Sequence, residues 1–341
     1  MIVYRKAQPL RVRRLAGPEP PFWCASVVQP YATRRAVPIA IDYAALRASS
    51  AEKLEVTVCA DVADELARMR PLNDPVFIDA AEAVEAVFRR GEEIAGWCAA
   101  RSLATIELVS TNGSLPAATH ADAIVAIACW PLTLARIEEM FADASARKLA
   151  WGAVVPLLYP VTTELAPLAA IADLAAAHGA RFLAGLVIDA DATARHALAQ
   201  SLELEPDDDR YALMFHGSTD PILVSTERHL AALAAGRNLA DFVVPPRWSE
   251  RTNWNASVLL TLTASRMMAM ELDLDLAGTI ARSARIVADL DKPLTRIAES
   301  AALSIVGGLD ETSAGMLTEW IEGGASSFGE YVNEQWRLER G

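Results

Sequence analysis

Thiol and imidazole side chains, which hold most transition metals and supply many nucleophiles and bases, are scarce in this sequence. The chain has 341 residues but only four cysteines and five histidines. The cysteines are Cys24, Cys59, Cys98 and Cys129, too far apart for a disulfide framework or for the paired ligands of a zinc site. No two histidines stand at a ligand spacing such as H-x-H or H-x3-H. We therefore expect a cytoplasmic protein with reduced, buried thiols and no metal site built on them.

Basic side chains are also in short supply. The 31 lysines and arginines face 44 aspartates and glutamates, which gives a formal net charge of −13. A nucleic-acid surface needs clustered cations to replace the counterions of the phosphate backbone, so we expect no nucleic-acid partner. The one basic cluster lies near the start of the chain, where we expect it to pair with the protein's own carboxylates: Arg5, Lys6, Arg11, Arg13 and Arg14.

Long hydrophobic runs and nucleotide-binding or nucleophile motifs are missing. The opening stretch "MIVYRKAQPLRVRRL" has no apolar core of signal-peptide length. The longest apolar run, "LAWGAVVPLLYPV", falls short of the roughly 20 residues that a membrane span needs and contains prolines. There is no G-x-S-x-G, no G-x-x-x-x-G-K-S/T and no G-x-G-x-x-G after a strand. These absences exclude a membrane span and the common nucleophile-elbow and phosphate-loop enzymes.

What the chain does have is a regular alternation of apolar strands and amphipathic helices between Leu54 and Asp191. Hydrophobic residues make up 52% of the sequence, enough for a large folded core. Six strands are predicted, several of them apolar on both faces: "LEVTVCADV", a short strand ending in the turn "RMRPLNDP", "ATIELVSTNG", "DAIVAIACW", "LAWGAVVPLL" and "RFLAGLVIDAD". Strands of this kind, separated by helices, favour a parallel sheet wound into a partial (β/α) barrel of the α/β class.

The pattern becomes helical near the C-terminus. From Asn253 the periodicity predicts successive helices, and Asp310 is a candidate N-cap for the last of those that the pattern shows. We expect three regions: an N-terminal arm and loop over 1–45, the barrel domain over 46–245, and a helical region over 246–341.

The stretch "PYATRRAVPIAIDY" at residues 30–43 suggests an ancestry for this barrel. With the strands that follow, it resembles the radical S-adenosylmethionine superfamily, in the branch of spore photoproduct lyase and its photolyase-like relatives. That branch has a Pro-Tyr pair, then three cluster cysteines spaced C-x3-C-x2-C, then a tyrosine. Here Pro30-Tyr31 and Tyr43 are present, and "NDPVFIDAAE" and "STNG" are similar to later family motifs. The resemblance covers about Pro30 to Asp189.

The three cluster positions carry no cysteine in this sequence. They correspond to Arg34, Pro38 and Ile41, none of which supplies the thiolate that a cluster iron needs. We therefore expect a degenerate cofactor loop and no iron-sulfur cluster. The resemblance implies a radical-SAM-like fold and a binding or scaffolding subunit, beside an active enzyme subunit or as a homo-oligomer. S-adenosylmethionine or a nucleoside-like ligand would be held at the strand ends by Asn73, Asp74, Ser110 and Asn112.

The same strand ends permit other interpretations. In a barrel, chemistry sits where the strands end, and the polar residues expected there are Asp61, Asn73, Asp74, Ser110, Asn112 and Asp189, with Cys129 and Tyr159 beside them. They either line a pocket or cap helices and close turns. An alternative function is a barrel lyase or hydrolase, in which Asp61, Asp74 and Asp189 bind a divalent cation and His216 acts as a base. A third interpretation is an ordinary barrel whose opening stretch matches the family by accident.

Overall fold

A computed structural model describes most of the chain. The described residues are 2–6, 10–15, 17–24, 26–32, 54–68, 75–78, 89–111, 113–117, 119–130, 132–159, 162–187, 209 and 221–338. They fall into two compact units. The first consists of residues 1–13 and 26–246, and the second of residues 14–25 and 247–341.

The strands of the described residues lie between Ile2 and Val187. They are β1 (Ile2–Lys6), β2 (Arg11–Arg14), β3 (Ser26–Gln29), β4 (Tyr31–Ala32), β5 (Leu54–Val58), β6 (Val76–Ile78), β7 (Thr105–Ser110), β8 (Ala123–Ala128), β9 (Trp151–Leu157) and β10 (Leu183–Val187). The first unit also contains helices α1 (Val62–Ala67), α2 (Arg90–Ala99), α3 (Leu134–Ala146), α4 (Leu165–Ala177) and α5 (Pro221–Ala235).

A mostly parallel sheet of seven strands, in the order β10-β9-β8-β7-β6-β3-β2, organises this unit. β4 and β5 belong to a different sheet. The remaining strands from β3 to β10 stand in the order in which they occur in the chain, and each pairs in parallel with the next. A sheet that grows in one direction places successive right-handed crossovers on one face. The α/β class and the parallel sheet are therefore as predicted.

Both faces of the central strands are buried, which explains their continuous apolar runs. Val125, Ile127 and Trp151 point toward α3 and α4, and the rings of Phe141 and Trp151 lie 4.7 Å apart between their centroids. Because side chains alternate along a strand, Ala126 and its neighbours point to the opposite face, where they are equally buried. The sheet thus has a helix face and an opposite face.

One predicted strand belongs to another sheet. We expected Leu54–Val58 to begin the barrel, but β5 lies in a three-stranded sheet of order β1-β5-β4. β1 pairs with β5 in parallel and β4 pairs with it antiparallel, so both hydrogen-bonding edges of β5 are occupied. Its expected place beside β6 is taken by β3, from the region 1–45 in which we predicted an arm and a loop. The short second strand also starts later than expected, directly after Pro75.

The last helix of this unit runs antiparallel to β10. Gly185 of β10 lets α5 approach closely, because a Cβ at this position would lie 2.8 Å from Leu157 Cδ1 and 3.2 Å from Glu227 Cγ. After α5 the chain returns beside the beginning of β10, where Ala240 forms a parallel bridge with Phe182. Helix α5 therefore begins at the edge of the sheet where the parallel strands end.

The second unit is helical, as the periodicity predicted from Asn253 onward. Its helices are α6 (Asn253–Ala269), α7 (Leu274–Ala288), α8 (Leu294–Ser300), α9 (Glu311–Gly323) and α10 (Ser327–Arg337). Asp310 is the N-cap of α9, and Gly324 ends that helix with a φ of 85°. Helix α10 lies within the region predicted to be helical but was not delimited as a separate helix, although Val332 and Trp336 at spacing i, i+4 were a usable signal. Among the described residues, no helix is long and apolar enough to cross a membrane.

Candidate functional site

The parallel strands end along one edge of the seven-stranded sheet, which we call the carboxyl edge. Ser110 is the last residue of β7, and its partner in register is Ala128, the last residue of β8. The side chain of Ser110 is buried and, by alternation with Val109, points to the face opposite the helices. Ser110 is thus a polar side chain on an apolar face, at the edge where ligands of parallel sheets bind.

The backbone just beyond Ser110 is firmly held. The amide of Thr111 donates to the carbonyl of Ala128 at 3.1 Å, and its hydroxyl donates to the carbonyl of Trp130 at 2.7 Å. Thr111 is fully buried, so these bonds satisfy groups that water cannot reach. The start of the loop after β7 is therefore an extension of the β7–β8 ladder.

Arg136, in the first turn of α3, holds the same loop from its other side. Its Nε donates to the carbonyl of Thr111 at 2.9 Å, and its Nη2 donates to the carbonyl of Gly113 at 3.2 Å. Its third contact is with the carboxylate of Glu139, at 2.8 Å from Nη1. Arg136 was not among the predicted site residues. The Arg-Glu spacing i, i+3 predicts the ion pair, but the carbonyl contacts depend on β7 lying beside β8.

The turn after β9 is closed by a threonine. The amide of Leu158 donates to Thr162 Oγ1 at 2.6 Å, and the amide of Thr162 donates to the carbonyl of Leu158 at 2.9 Å. Thr162 is buried, whereas Tyr159 in the same turn is half-buried. The Thr162 hydroxyl thus helps to build the carboxyl edge, and among the described residues of this turn Tyr159 is partly accessible.

Of the predicted site residues, Ser110 and Asp61 lie within the described part of the chain. Asp61 is exposed and is the N-cap of α1, where its carboxylate accepts the amide N–H of Asp64 at 2.9 Å. It follows β5 in the three-stranded sheet, so our expectation that it ends a strand of the main sheet was wrong. Five other candidates lie outside the described residues: Asn73, Asp74, Asn112, Asp189 and His216.

All four thiols are buried and uncharged at neutral pH. Burial raises the pKa of Cys24 and of Cys129, the residue that follows β8 at the carboxyl edge. Burial, together with the nearby Glu107 carboxylate, raises the pKa of Cys98 to about 12. Burial also raises the pKa of Cys59, against a hydrogen bond from the Asp61 backbone that lowers it. Since the thiolate is the nucleophile and the metal ligand, none of these groups is prepared for either role. Within the described ranges, no three His, Cys, Asp or Glu side chains are grouped so as to hold a metal.

Three large apolar side chains stand exposed around the carboxyl edge. Leu134 and Leu165 are the first residues of α3 and α4, and Ile222 is the second residue of α5. Their exposed fractions are 40%, 52% and 42%. The three helices pack side by side in that order, and each begins where a parallel strand has ended. We call Leu134, Leu165 and Ile222 the apolar rim.

Comparison of the chain with protein-family models, with curated proteins and with solved structures finds no match in any of the three.

Proposed function

We propose that this protein is a cluster-less relative of the radical S-adenosylmethionine proteins that acts as a non-catalytic binding subunit. Its apolar rim docks a protein partner, and its carboxyl edge holds a nucleoside-like ligand such as S-adenosylmethionine. The fold in this proposal is a partial (β/α) barrel whose interior is the face opposite the helices. The apolar rim is the observation that carries it.

A partner that covers the rim would remove three half-exposed aliphatic side chains from water. Complete burial of such a side chain is worth about 1.5–3 kcal/mol, so covering the exposed half of each contributes roughly 1 kcal/mol. A single exposed leucine is ordinary on a protein surface, but here one large aliphatic side chain stands at the start of each of three neighbouring helices. Their common position around one edge supports docking at that edge.

The ligand half of the proposal rests on Ser110 and on the order of the strands. Strands that follow one another in space as in sequence are what a partial barrel of this family requires, and its ligands bind where the strands end. Ser110 supplies a hydroxyl on the interior side of that edge, and the backbone beside it is fixed by Thr111 and Arg136. The contributions of Asn73, Asp74 and Asn112 stay predictions.

The proposal that this protein is non-catalytic rests on the side chains that would have to bind an iron-sulfur cluster. The cluster positions of the resembling family are Arg34, Pro38 and Ile41, and each of the four cysteines is a buried, protonated thiol. The alternative of a metal-dependent lyase or hydrolase stays a prediction that no observation favours, since the carboxylate of Asp61 already caps α1. Of its remaining candidates, Asp74, Asp189 and His216 lie outside the described residues.

Docking is tested by site-specific photo-crosslinking in the native host or a close relative. A photoreactive amino acid is placed at position 134 on the rim, or at the matched control position 143, exposed more than two turns along the same helix. We expect a covalent adduct with one polypeptide at position 134 and none at 143. That polypeptide, purified, should bind the wild-type chain and lose binding to Leu165→Asp. Equal labelling at both positions, or binding that survives Leu165→Asp, contradicts the docking proposal. A self-adduct would identify the partner as a second copy.

Ligand binding is tested separately by calorimetric titration with S-adenosylmethionine, after anaerobic cluster reconstitution and iron and sulfide analysis of the same sample. We expect heat of binding without stoichiometric iron, and roughly tenfold weaker binding in Ser110→Ala, because one hydrogen bond is lost. The exposed Ser145→Ala is the matched control. Four irons per chain would overturn the cluster-less assignment. Absence of binding would overturn the proposal that the carboxyl edge holds a ligand. It would not affect the docking proposal, which the crosslinking experiment tests.

A further inference from the structure

The helical unit is not made of the C-terminal region alone. Residues 14–25 belong to it, although Arg14 is the last residue of β2 and Ser26 is the first of β3, and these two strands are neighbours in the seven-stranded sheet. The chain therefore leaves one unit, contributes a short segment to the other and returns. We call residues 14–25 the strap.

Trp23 joins the strap to α6 through its backbone carbonyl. Its side chain is 2% exposed, among the most deeply buried in the protein. The indole N–H of Trp254, in the first turn of α6, donates to the carbonyl of Trp23 at 2.9 Å. Trp254 is itself buried, so this hydrogen bond is shielded from water. The strap and α6 are thus joined by a buried hydrogen bond that the C-terminal region alone would lack.

Three further observations describe how the strap is packed. Trp23 adopts a φ of 46°, in the left-handed region that a bulky side chain enters only when its surroundings hold it there. Gly17 lies against α7, where a Cβ at this position would stand 3.4 Å from Arg285 Cγ. Cys24, next to Trp23, is buried and its thiol donates to the carbonyl of Phe22 at 2.9 Å. Trp23 and Cys24 of the strap are thus buried, and Gly17 lies against α7.

We infer that the strap is an integral core element of the helical unit, and that it acts as a built-in conformational latch. Withdrawing it exposes the buried Trp23 side chain and leaves the indole N–H of Trp254 without its acceptor. Helices α6 and α7 then open locally. Binding or cleavage near the N-terminus of the chain would in this way be transmitted to a helical unit more than 200 residues away in sequence.

Hydrogen exchange followed by mass spectrometry on the full-length protein tests the latch. Trp254→Phe keeps an aromatic ring but removes the donor to Trp23. We expect peptides from α6 and α7 to exchange about tenfold faster, the effect of one buried hydrogen bond on local opening, while β7, β8 and β9 are unchanged. Trp23→Ala should accelerate the same peptides more strongly, and Trp254→Phe keeps the test valid if that variant fails to fold.

Trp97→Phe is the matched control, because the indole N–H of Trp97 has no hydrogen-bond partner in the described structure. It should leave α6 and α7 unchanged. The inference is overturned if Trp254→Phe does not accelerate exchange in α6 and α7. It is equally overturned if β7, β8 and β9 accelerate to the same extent, since the strap would then not be specific to the helical unit.

Discussion

The carboxylate of Asp310 links two helices, because one of its oxygens accepts the hydroxyl of Ser283 in α7 at 2.7 Å. Its other oxygen accepts the backbone N–H of Ser313, at 3.0 Å, and so caps α9. Partial burial raises the pKa of Asp310, but the hydrogen bonds from Ser313 and Ser283 outweigh burial and hold the pKa below its ordinary value. A single charged side chain thus closes a helix end and fastens it to a neighbouring helix.

This arrangement predicts an acid-sensitive contribution to stability. A lowered pKa in the folded state means that Asp310 stabilises the fold above its unfolded pKa of about 3.9, and that this contribution is lost as pH falls through the folded value. At pH 7, Asp310→Ala should lower the free energy of unfolding by about 1 kcal/mol, as loss of an N-cap does. In urea titrations between pH 7 and 3, its difference from wild type should shrink as the pH falls. A difference independent of pH would contradict the assigned role of the charge.

Arg136 predicts a local effect at the carboxyl edge. Arg136→Met removes the donors to the carbonyls of Thr111 and Gly113, so the loop after β7 should open more often. We expect exchange in residues 111–117 to rise about tenfold, with a loss of about 1–2 kcal/mol in local opening free energy. Glu139→Gln is the matched control, because it weakens an exposed ion pair and keeps both carbonyl contacts. If both variants act equally, the ion pair and not the carbonyl contacts holds the loop.

Local sequence patterns predicted those parts of the fold that depend on burial of each strand or helix. The strands β7 to β10 and the helices α3 and α4 follow from continuous apolar runs and helical periodicity, and Asp310 from capping chemistry. Sheet membership could not be predicted in this way. β3 and β5 have similar short β-branched patterns, and only their hydrogen-bonding partners, distant in sequence, assign them to different sheets.

The candidate site shows the same limit. Asp61 and Ser110 both lie at the end of a strand and looked equivalent in sequence, but Asp61 follows a strand of the smaller sheet and caps α1. The contacts of Arg136 with the loop after β7 join residues that are 23 and 25 positions apart in the chain. The hydrogen bond between Trp254 and Trp23 joins residues that are 231 positions apart. No local pattern encodes such pairs, because they arise from the packing of whole elements.

Two glycine-to-alanine substitutions should change the stability in opposite directions, because one glycine is closely packed and the other is exposed. Gly185→Ala would place a Cβ 2.8 Å from Leu157 Cδ1, so α5 or the Leu157 side chain must move, which we expect to cost about 1–3 kcal/mol. At Gly96, in the exposed face of α2, a Cβ would meet no neighbouring atom within 4 Å, so Gly96→Ala should instead stabilise by about 0.5–1 kcal/mol through helix propensity. Thermal or urea unfolding of both variants measures the opposite signs. A neutral Gly185→Ala would show that α5 does not pack closely on β10.

The thiols give a prediction that bears directly on the cluster-less assignment. Because burial raises the pKa of all four cysteines, to about 12 for Cys98, the folded protein should carry almost no thiolate at pH 7. A disulfide reagent such as DTNB should therefore react slowly with the native chain, and should release four equivalents of chromophore as soon as guanidinium unfolds it. At this fixed pH, the rate should rise sharply when the chain unfolds, because unfolding removes the burial that raises the pKa of each thiol. Rapid reaction of even one thiol in the folded protein at pH 7 would mean that a cysteine is activated. That residue would become the first candidate for chemistry in a protein that we propose has none.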